Sequence, residues 1–386
     1  MRDPRYLSVI LVLLVLTAMA GVVQAYETPE SIVASSKVYV SKVVYDPGSF
    51  FTGDSGTATI YVTNANTNQS IVVNHVSFGD ENIKLTSRPY DSSTNIGPLQ
   101  TQPFVFSVET QANEGTYYPT FTLNFRDADS LYYRATVKVD NTPLQLTIVD
   151  KPDAYVAGKK KTVYVQVANP RDDTVKNAIL EVTGQGISTT PSKTFIGDMA
   201  PGAKIPVNFT ITPEQPTTAL VTLKYDNGDL THSVQVDLLV TFGVDKKQAN
   251  PVISNVQVKP DAGFYRVTGD VTNAGLENAN SVTVTSLSPA VPQDPYRTYV
   301  VGVLKPDDFG SFEVTFAAAN TTMVPLQMSY KDADGNIYTS VQDVKISGVS
   351  LSSTQKNDLP LVPIAVIVII VAAFAGGWFF YLRKKK

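Results

Sequence analysis

Thr162-Val163-Tyr164-Val165-Gln166-Val167-Ala168-Asn169 is the stretch from which the rest of the chain can be read. Val163, Val165 and Val167 fall on one side of an extended chain, and Thr162, Tyr164 and Gln166 on the other. That period of two belongs to a strand with one face covered and one face wet. The same ending recurs in Ile60-Tyr61-Val62-Thr63-Asn64 and in Gly269-Asp270-Val271-Thr272-Asn273. Asn64, Asn169 and Asn273 are expected to be turn residues, because asparagine tolerates left-handed backbone.

Three further landmarks follow each of these strands. The first is Ile96-Gly97-Pro98-Leu99, Ile196-Gly197-Asp198-Met199 or Val301-Gly302-Val303-Leu304. An alternating run comes next: Phe104 to Val108, Pro206 to Thr210 or Phe312 to Phe316. Last is an aromatic residue with an acidic turn: Phe125-Arg126-Asp127, Tyr225-Asp226-Asn227-Gly228 or Tyr330-Lys331-Asp332-Ala333-Asp334-Gly335. From glycine to aromatic is 28 residues in all three units (97 to 125, 197 to 225, 302 to 330). Successive aromatics lie 100 and 105 residues apart. A period near one hundred residues, made of short strands between Gly, Pro and Asn turns, fits a sandwich of about seven strands.

The expected fold class is therefore all-β: three tandem immunoglobulin-like β-sandwiches over residues 31–141, 142–242 and 251–347, followed by a C-terminal transmembrane helix. Val, Thr, Tyr and Phe dominate the middle of the chain, with 19 Tyr and 17 Phe overall. Asn141-Thr142-Pro143 runs straight into Leu144-Gln145-Leu146, so the first joint is expected to be stiff. The second, Gly243 to Asn250, is polar and expected to hinge, and residues 348–358 read as a flexible stalk.

The two ends suggest export and anchoring. Arg2 and Arg5 precede an apolar run from Leu7 to Val23, and Val23-Gln24-Ala25 offers a signal-peptidase site, with cleavage expected after Ala25. Residues 359–382 carry no charge and would reach roughly 36 Å as a helix at about 1.5 Å per residue, enough to cross a bilayer. Arg383, Lys384, Lys385 and Lys386 follow as a cytoplasmic anchor, which places the domains outside the cell. Between the leader and the tail stand 25 basic and 34 acidic residues, a net of −9. Such a surface gives no electrostatic reason to bind nucleic acid. With no Cys in the chain, a disulfide framework and thiolate chemistry are excluded.

Val-Thr-Asn-Ala-Gly at 271–275, Val-Gly-x-Leu-x-Pro at 301–306 and Tyr-x-Asp-x-Asp-Gly at 330–335 resemble archaeal S-layer-domain-like surface proteins and the cell-adhesion-related CARDB immunoglobulin-like repeat. The third unit matches best. The second departs from the pattern, with Asn169-Pro170-Arg171 where Asn-x-Gly is wanted, and the first has a long Asn-Thr-Asn-Gln turn. What the resemblance implies is a cell-surface location and an architecture. Some members are encoded beside transporter subunits.

Residues for chemistry are scarce. His75 and His232 lie in different units, and each reads as an ordinary strand-surface histidine. No nucleophile elbow, phosphate loop or dinucleotide fingerprint is present. Asp332-Ala333-Asp334-Gly335-Asn336 fails as a calcium loop, with Gly at position four rather than six and Asp343, not Glu, at position twelve. Asp127-Ala128-Asp129 reads likewise as an acidic turn. Tyr117-Tyr118 and Tyr132-Tyr133 should each put one ring on either face of a strand, where an exposed set would stack on sugar or protein. Asn68, Asn208 and Asn320 head N-glycosylation acceptor patterns. No catalytic residue, metal or cofactor is expected. The expected function is non-enzymatic: a single-pass membrane protein presenting its domains for structural or adhesive contact, with other envelope proteins or surface glycans as partners. The competing expectation is an accessory subunit of an envelope (ABC-type) transport complex, for which Ala372, Ala373, Gly376 and Gly377 would supply a helix-packing face.

Overall fold

In the computed structural model, the described residues are 29–346 apart from 262 and 320. The expected leader with its cleavage site after Ala25, the stalk, the span at 359–382, the tail from Arg383 to Lys386 and the acceptor Asn320 lie outside them. Among the described residues the fold is all-β with antiparallel sheets, and no helix is long and apolar enough to cross a membrane. The helix α1 (Pro29–Ser35) precedes the first strand.

Three pairs of four-stranded sheets account for nearly all of the strands. In the first pair, β1 (Val38–Asp46), β2 (Ser55–Asn64), β6 (Thr101–Thr110) and β4 (Ile83–Leu85) form one sheet in that order. β5 (Thr94–Ile96), β3 (Ile71–Gly79), β8 (Thr120–Phe125) and β9 (Leu131–Arg134) form the other. A small ribbon of β7 (Gly115–Tyr117) and β10 (Val137–Val139) flanks them. In the second pair, β11 (Gln145–Asp150), β12 (Lys161–Ala168), β16 (Lys204–Pro213) and β14 (Ile187–Thr190) lie against β15 (Lys193–Met199), β13 (Val175–Thr183), β17 (Thr217–Asn227) and β18 (Leu230–Val240). The third pair repeats this with β19 (Pro251–Asp261), β20 (Phe264–Asn273), β24 (Phe309–Ala317) and β22 (Val291–Pro292). Its facing sheet is β23 (Thr298–Leu304), β21 (Ala279–Ser286), β25 (Met323–Lys331) and β26 (Ile337–Lys345).

Each pair encloses its own apolar core. The alternation along β12 explains how: Val163, Val165 and Val167 are buried, whereas Tyr164 and Gln166 are exposed. Each such valine contributes about 1.5–3 kcal/mol on burial. The first two sandwiches form one compact unit ending at Gly243, and the third belongs to a second unit beginning at Val244.

The repeated asparagines are not left-handed turn residues. Their φ angles are not positive, and all three side chains are buried hubs. Asn169 Nδ2 donates to the carbonyls of Asp173 and Met199 (2.9 Å each) and of Ala200 (3.2 Å), while its Oδ1 accepts from Arg171 N (3.0 Å). Asn64 donates likewise to Gln69, Ile96 and Gly97, and Asn273 to Glu277 and Leu304. Each hub thus ties the loop after its strand to the end of a strand in the facing sheet. In a dry core an amide that satisfies several backbone groups at once fixes how the two sheets meet.

The left-handed residues stand nearby, in the turns Gly97-Pro98-Leu99-Gln100, Ala200-Pro201-Gly202-Ala203 and Lys305-Pro306-Asp307-Asp308. Each turn closes with a bond from its fourth amide to its first carbonyl, at 3.2, 3.1 and 3.0 Å. Proline at the second position and a positive φ at the third define type II turns. The third residue is Leu99 (56°), Gly202 (71°) or Asp307 (60°), so only the second sandwich has the glycine that this backbone favours.

The aromatics of the 28-residue spacing have a second duty. Tyr225 Oη accepts from Leu144 N at 3.3 Å, and Tyr330 Oη donates to the carbonyl of Ala249 at 2.9 Å. Each hydroxyl holds the segment that enters its own sandwich, a bond Phe125 cannot make.

Candidate functional site

The residue two places after each hub meets the chain entering that sandwich. Asn66 Nδ2 reaches the carbonyl of Ala34 at 2.8 Å. At Gly275 there is no room for a side chain, because a Cβ would collide with the backbone of Gln248 and Asn250. In the second sandwich the residue is Arg171, and its side chain, 0% exposed, passes into the joint with the first sandwich.

All five N–H groups of that guanidinium are used. Nε donates to Asp173 Oδ1 at 3.1 Å, and Nη1 to the carbonyls of Asp140 (2.6 Å) and Thr142 (3.0 Å). Nη2 donates to the carbonyl of Ser49 (3.0 Å) and to Ser49 Oγ (2.8 Å). Asp173 in turn accepts from Ser49 N at 3.0 Å and Ser49 Oγ at 2.9 Å. The Arg171 cation lies over the ring of Phe51, a first-sandwich residue whose side chain is part of the second sandwich's core.

Beside this knot, Asp54 of the first sandwich is held by the second. Its Oδ2 accepts from Asn227 Nδ2 at 2.8 Å, and its Oδ1 lies 2.9 Å from His232 Nε2. Asn227 also donates to the carbonyl of Ser49. The His232 ring stacks on Phe51, with centroids 4.1 Å apart. His232 is therefore a joint residue rather than an ordinary surface histidine. At Gly228 a Cβ would meet the Ser55 carbonyl, so the hairpin between β17 and β18 presses directly on the first sandwich. Lys138 bridges Asp140 and Asp172, and Lys176 pairs with Asp46 at 2.8 Å, around the rim.

Burial pushes the Asp140 carboxyl up, but bonds from the Thr142 hydroxyl and amide, from Lys138, and the Arg171 charge outweigh it and hold the group at about 2. The arrangement makes a His–Asp pair and a buried cation, yet the Ser49 hydroxyl faces Asp173 and Arg171, and His232 faces Asp54. The parts of a nucleophile–base pair are not aligned.

The remaining expected residues lie elsewhere. Asn68 is exposed in the loop between β2 and β3, and Asn208 is exposed on the outer face of β16, opposite Tyr164. His75 pairs with Asp91 at 2.6 Å. Both rings of Tyr132-Tyr133 are exposed, because β9 is an edge strand; Tyr118 is exposed and Tyr117 packs partly on the core. Asp332 turns its carboxylate inward, onto the amide and side chain of Asn336, at 2.8 Å each. No cluster of three metal-ligating side chains occurs among the described residues. In the sequence only the departure from Asn-x-Gly at 169–171 marks the place of this joint, and no motif distinguishes Phe51 or Asp54.

No protein-family model matches the chain. An uncharacterized protein of Methanocaldococcus jannaschii is 23% identical over 255 residues, 64% of this chain and 49% of that protein. The chain thus spans about half the length of the curated relative it matches. Among solved structures, red sea bream transglutaminase aligns with a TM-score of 0.22 at 15% identity, over 52% of this chain and 31% of that one, which carries no argument.

Proposed function

We propose that the protein is a non-enzymatic, single-pass surface protein whose tandem immunoglobulin-like sandwiches are held outside the cell for structural or adhesive contact. The observation that carries this reading is the Arg171 joint, in which a buried cation has every donor engaged by its own chain and holds two sandwiches as one body. Such a joint suits a stiff spacer. The two-sheet arrangement in each repeat supports the immunoglobulin-like assignment, with one difference. Here the fourth strand joins the edge of the first sheet before the fifth returns to the second. The apolar runs at Leu7–Val23 and 359–382, with Arg383 to Lys386 behind the second, support export and anchoring. The likeness of the repeats to S-layer-domain-like and CARDB proteins points the same way.

The test is made on intact cells carrying a C-terminal tag. External protease is expected to remove the sandwiches and spare the tag, and envelope contacts should survive replacement of 359–382 by an unrelated apolar helix. Loss of an integral-membrane transport partner on that replacement would instead favour the accessory-subunit reading.

A further inference from the structure

The third sandwich carries a groove on one of its sheets. It has a volume of about 480 Å³ and crosses the outer face of β19, β20 and β24. That size falls in the range of small-ligand sites, roughly 300–1,000 Å³.

Three local departures from the repeat build it. The chain between β22 and β23 runs from Gln293 to Arg297, whereas Pro191 and Ser192 alone join β14 to β15. This longer segment is fastened to β24. Tyr296 N donates to Thr315 Oγ1 at 3.2 Å, Thr315 N to the Tyr296 carbonyl at 3.0 Å, and Gln293 N to the Thr315 carbonyl at 2.9 Å. It raises Tyr296 as a wall beside Tyr299, with ring centroids 6.3 Å apart and planes 55° apart. Second, β19 bulges between Ser254 and Gln257 as β1 and β11 also bulge, but here the bulge holds Asn255 at φ 53°, which aims its amide at Asp270. Third, the register pairs Asp270 with Ser311, where the other sandwiches pair Tyr61 with Pro103 and Gln166 with Pro206.

The floor is prepared for hydroxyl groups. Asp270 Oδ2 accepts from Asn255 Nδ2 at 2.9 Å and Oδ1 from Ser311 Oγ at 2.8 Å. These bonds hold its carboxyl below the usual range, and each oxygen keeps a lone pair for a ligand. Glu313 is steadied by Arg266 at 2.9 Å. Gln257 and Thr268 also line the floor, and neither makes a side-chain hydrogen bond among the described residues. Two tilted phenol rings above carboxylate, amide and hydroxyl groups offer apolar faces and directional bonds together. Asp270 and Glu313 disfavour an anionic ligand.

From this geometry we infer that the groove binds a short neutral saccharide, stacked on Tyr296 and Tyr299 and hydrogen-bonded to Asp270, Asn255 and Gln257. The inference rests on the surface reading only for where the sugar would be met. Binding itself is a property of the third sandwich.

The experiment uses the purified full chain and four probes: trimers of glucose, mannose, N-acetylglucosamine and galacturonic acid. Saturation-transfer NMR and calorimetry are run on the parent, Tyr296→Ala, Tyr296→Phe, Asp270→Ala and Gln257→Ala, with thermal unfolding of each. At least one neutral trimer is expected to bind, with affinity falling about tenfold or more in Tyr296→Ala and kept in Tyr296→Phe. Asp270→Ala is expected to weaken binding similarly; should it unfold, the exposed Gln257→Ala variant replaces it. Binding of none of the neutral trimers, of the acidic trimer alone, or of a neutral trimer equally well to folded Tyr296→Ala would overturn the proposal. Any of these results would leave the protease test of the surface reading untouched.

Discussion

The guanidinium carbon of Arg171 lies 4.1 Å from the centre of the Phe51 ring, although the two residues come from different sandwiches. Cation and ring have exchanged sides: Phe51 fills the second sandwich's core, while Arg171 satisfies carbonyls of the first and of the linker. Breaking this exchange should be costly. Arg171→Ala leaves Asp173 without its cation and the carbonyls of Asp140 and Thr142 without their side-chain donor, and is expected to cost about 3–5 kcal/mol in urea unfolding. Arg171→Lys should recover little, since an ammonium cannot fill five fixed directions.

The hub asparagines give a sharper chemical test. Asn273→Ala removes donors to two carbonyls and an acceptor for the amides of Asn250 and Gly275, with an expected cost of about 2–4 kcal/mol. Asn273→Asp is nearly the same size, yet it sets a carboxylate against carbonyl oxygens. It should destabilise at least as much as the alanine at neutral pH. Recovery of stability by the aspartate would show that shape, not donation, matters there.

Leu99 is 67% exposed and sits at φ 56°, so it contributes little burial at a backbone that disfavours a side chain. Leu99→Gly should stabilise the first sandwich by about 0.5–1 kcal/mol after the added unfolded-state entropy is subtracted. Thermal unfolding checks it, and a lower midpoint would contradict the turn assignment.

Acid should loosen the joint through Asp140. Its folded value near 2 lies below the ordinary 3.8, so its contribution is fully present above about pH 4 and is lost as pH falls toward 2. The expected loss is on the order of 1–2 kcal/mol after solvent screening. Asp140→Asn should flatten the stability curve in that window and lower stability near neutrality by about the same 1–2 kcal/mol, so that the two proteins converge toward pH 2.

Much of the fold was legible because alternation is a local property. Val163, Val165 and Val167 declare a covered face within one strand, and the 28-residue spacing marks three copies of one plan. The asparagines were misread because a turn propensity belongs to the residue alone, whereas a hub is defined by carbonyls some thirty positions away. His232 was misread for the same reason, since Phe51 and Asp54 lie far from it in sequence. The groove was out of reach altogether. Asn255, Asp270 and Ser311 converge only through the register of three strands, and nothing near any one of them announces the other two.

Arg171 also bears on ancestry. A hub asparagine draws its partners from within its own repeat, so a duplicated or deleted copy carries its fastening with it. Arg171 and Phe51 do not obey that economy. A recombination breakpoint between residues 141 and 142 would leave one progeny chain with a bare cation and the other with a stranded ring. The first two repeats are therefore bound to be inherited as a pair, and relatives that gain or lose whole repeats should keep these two together.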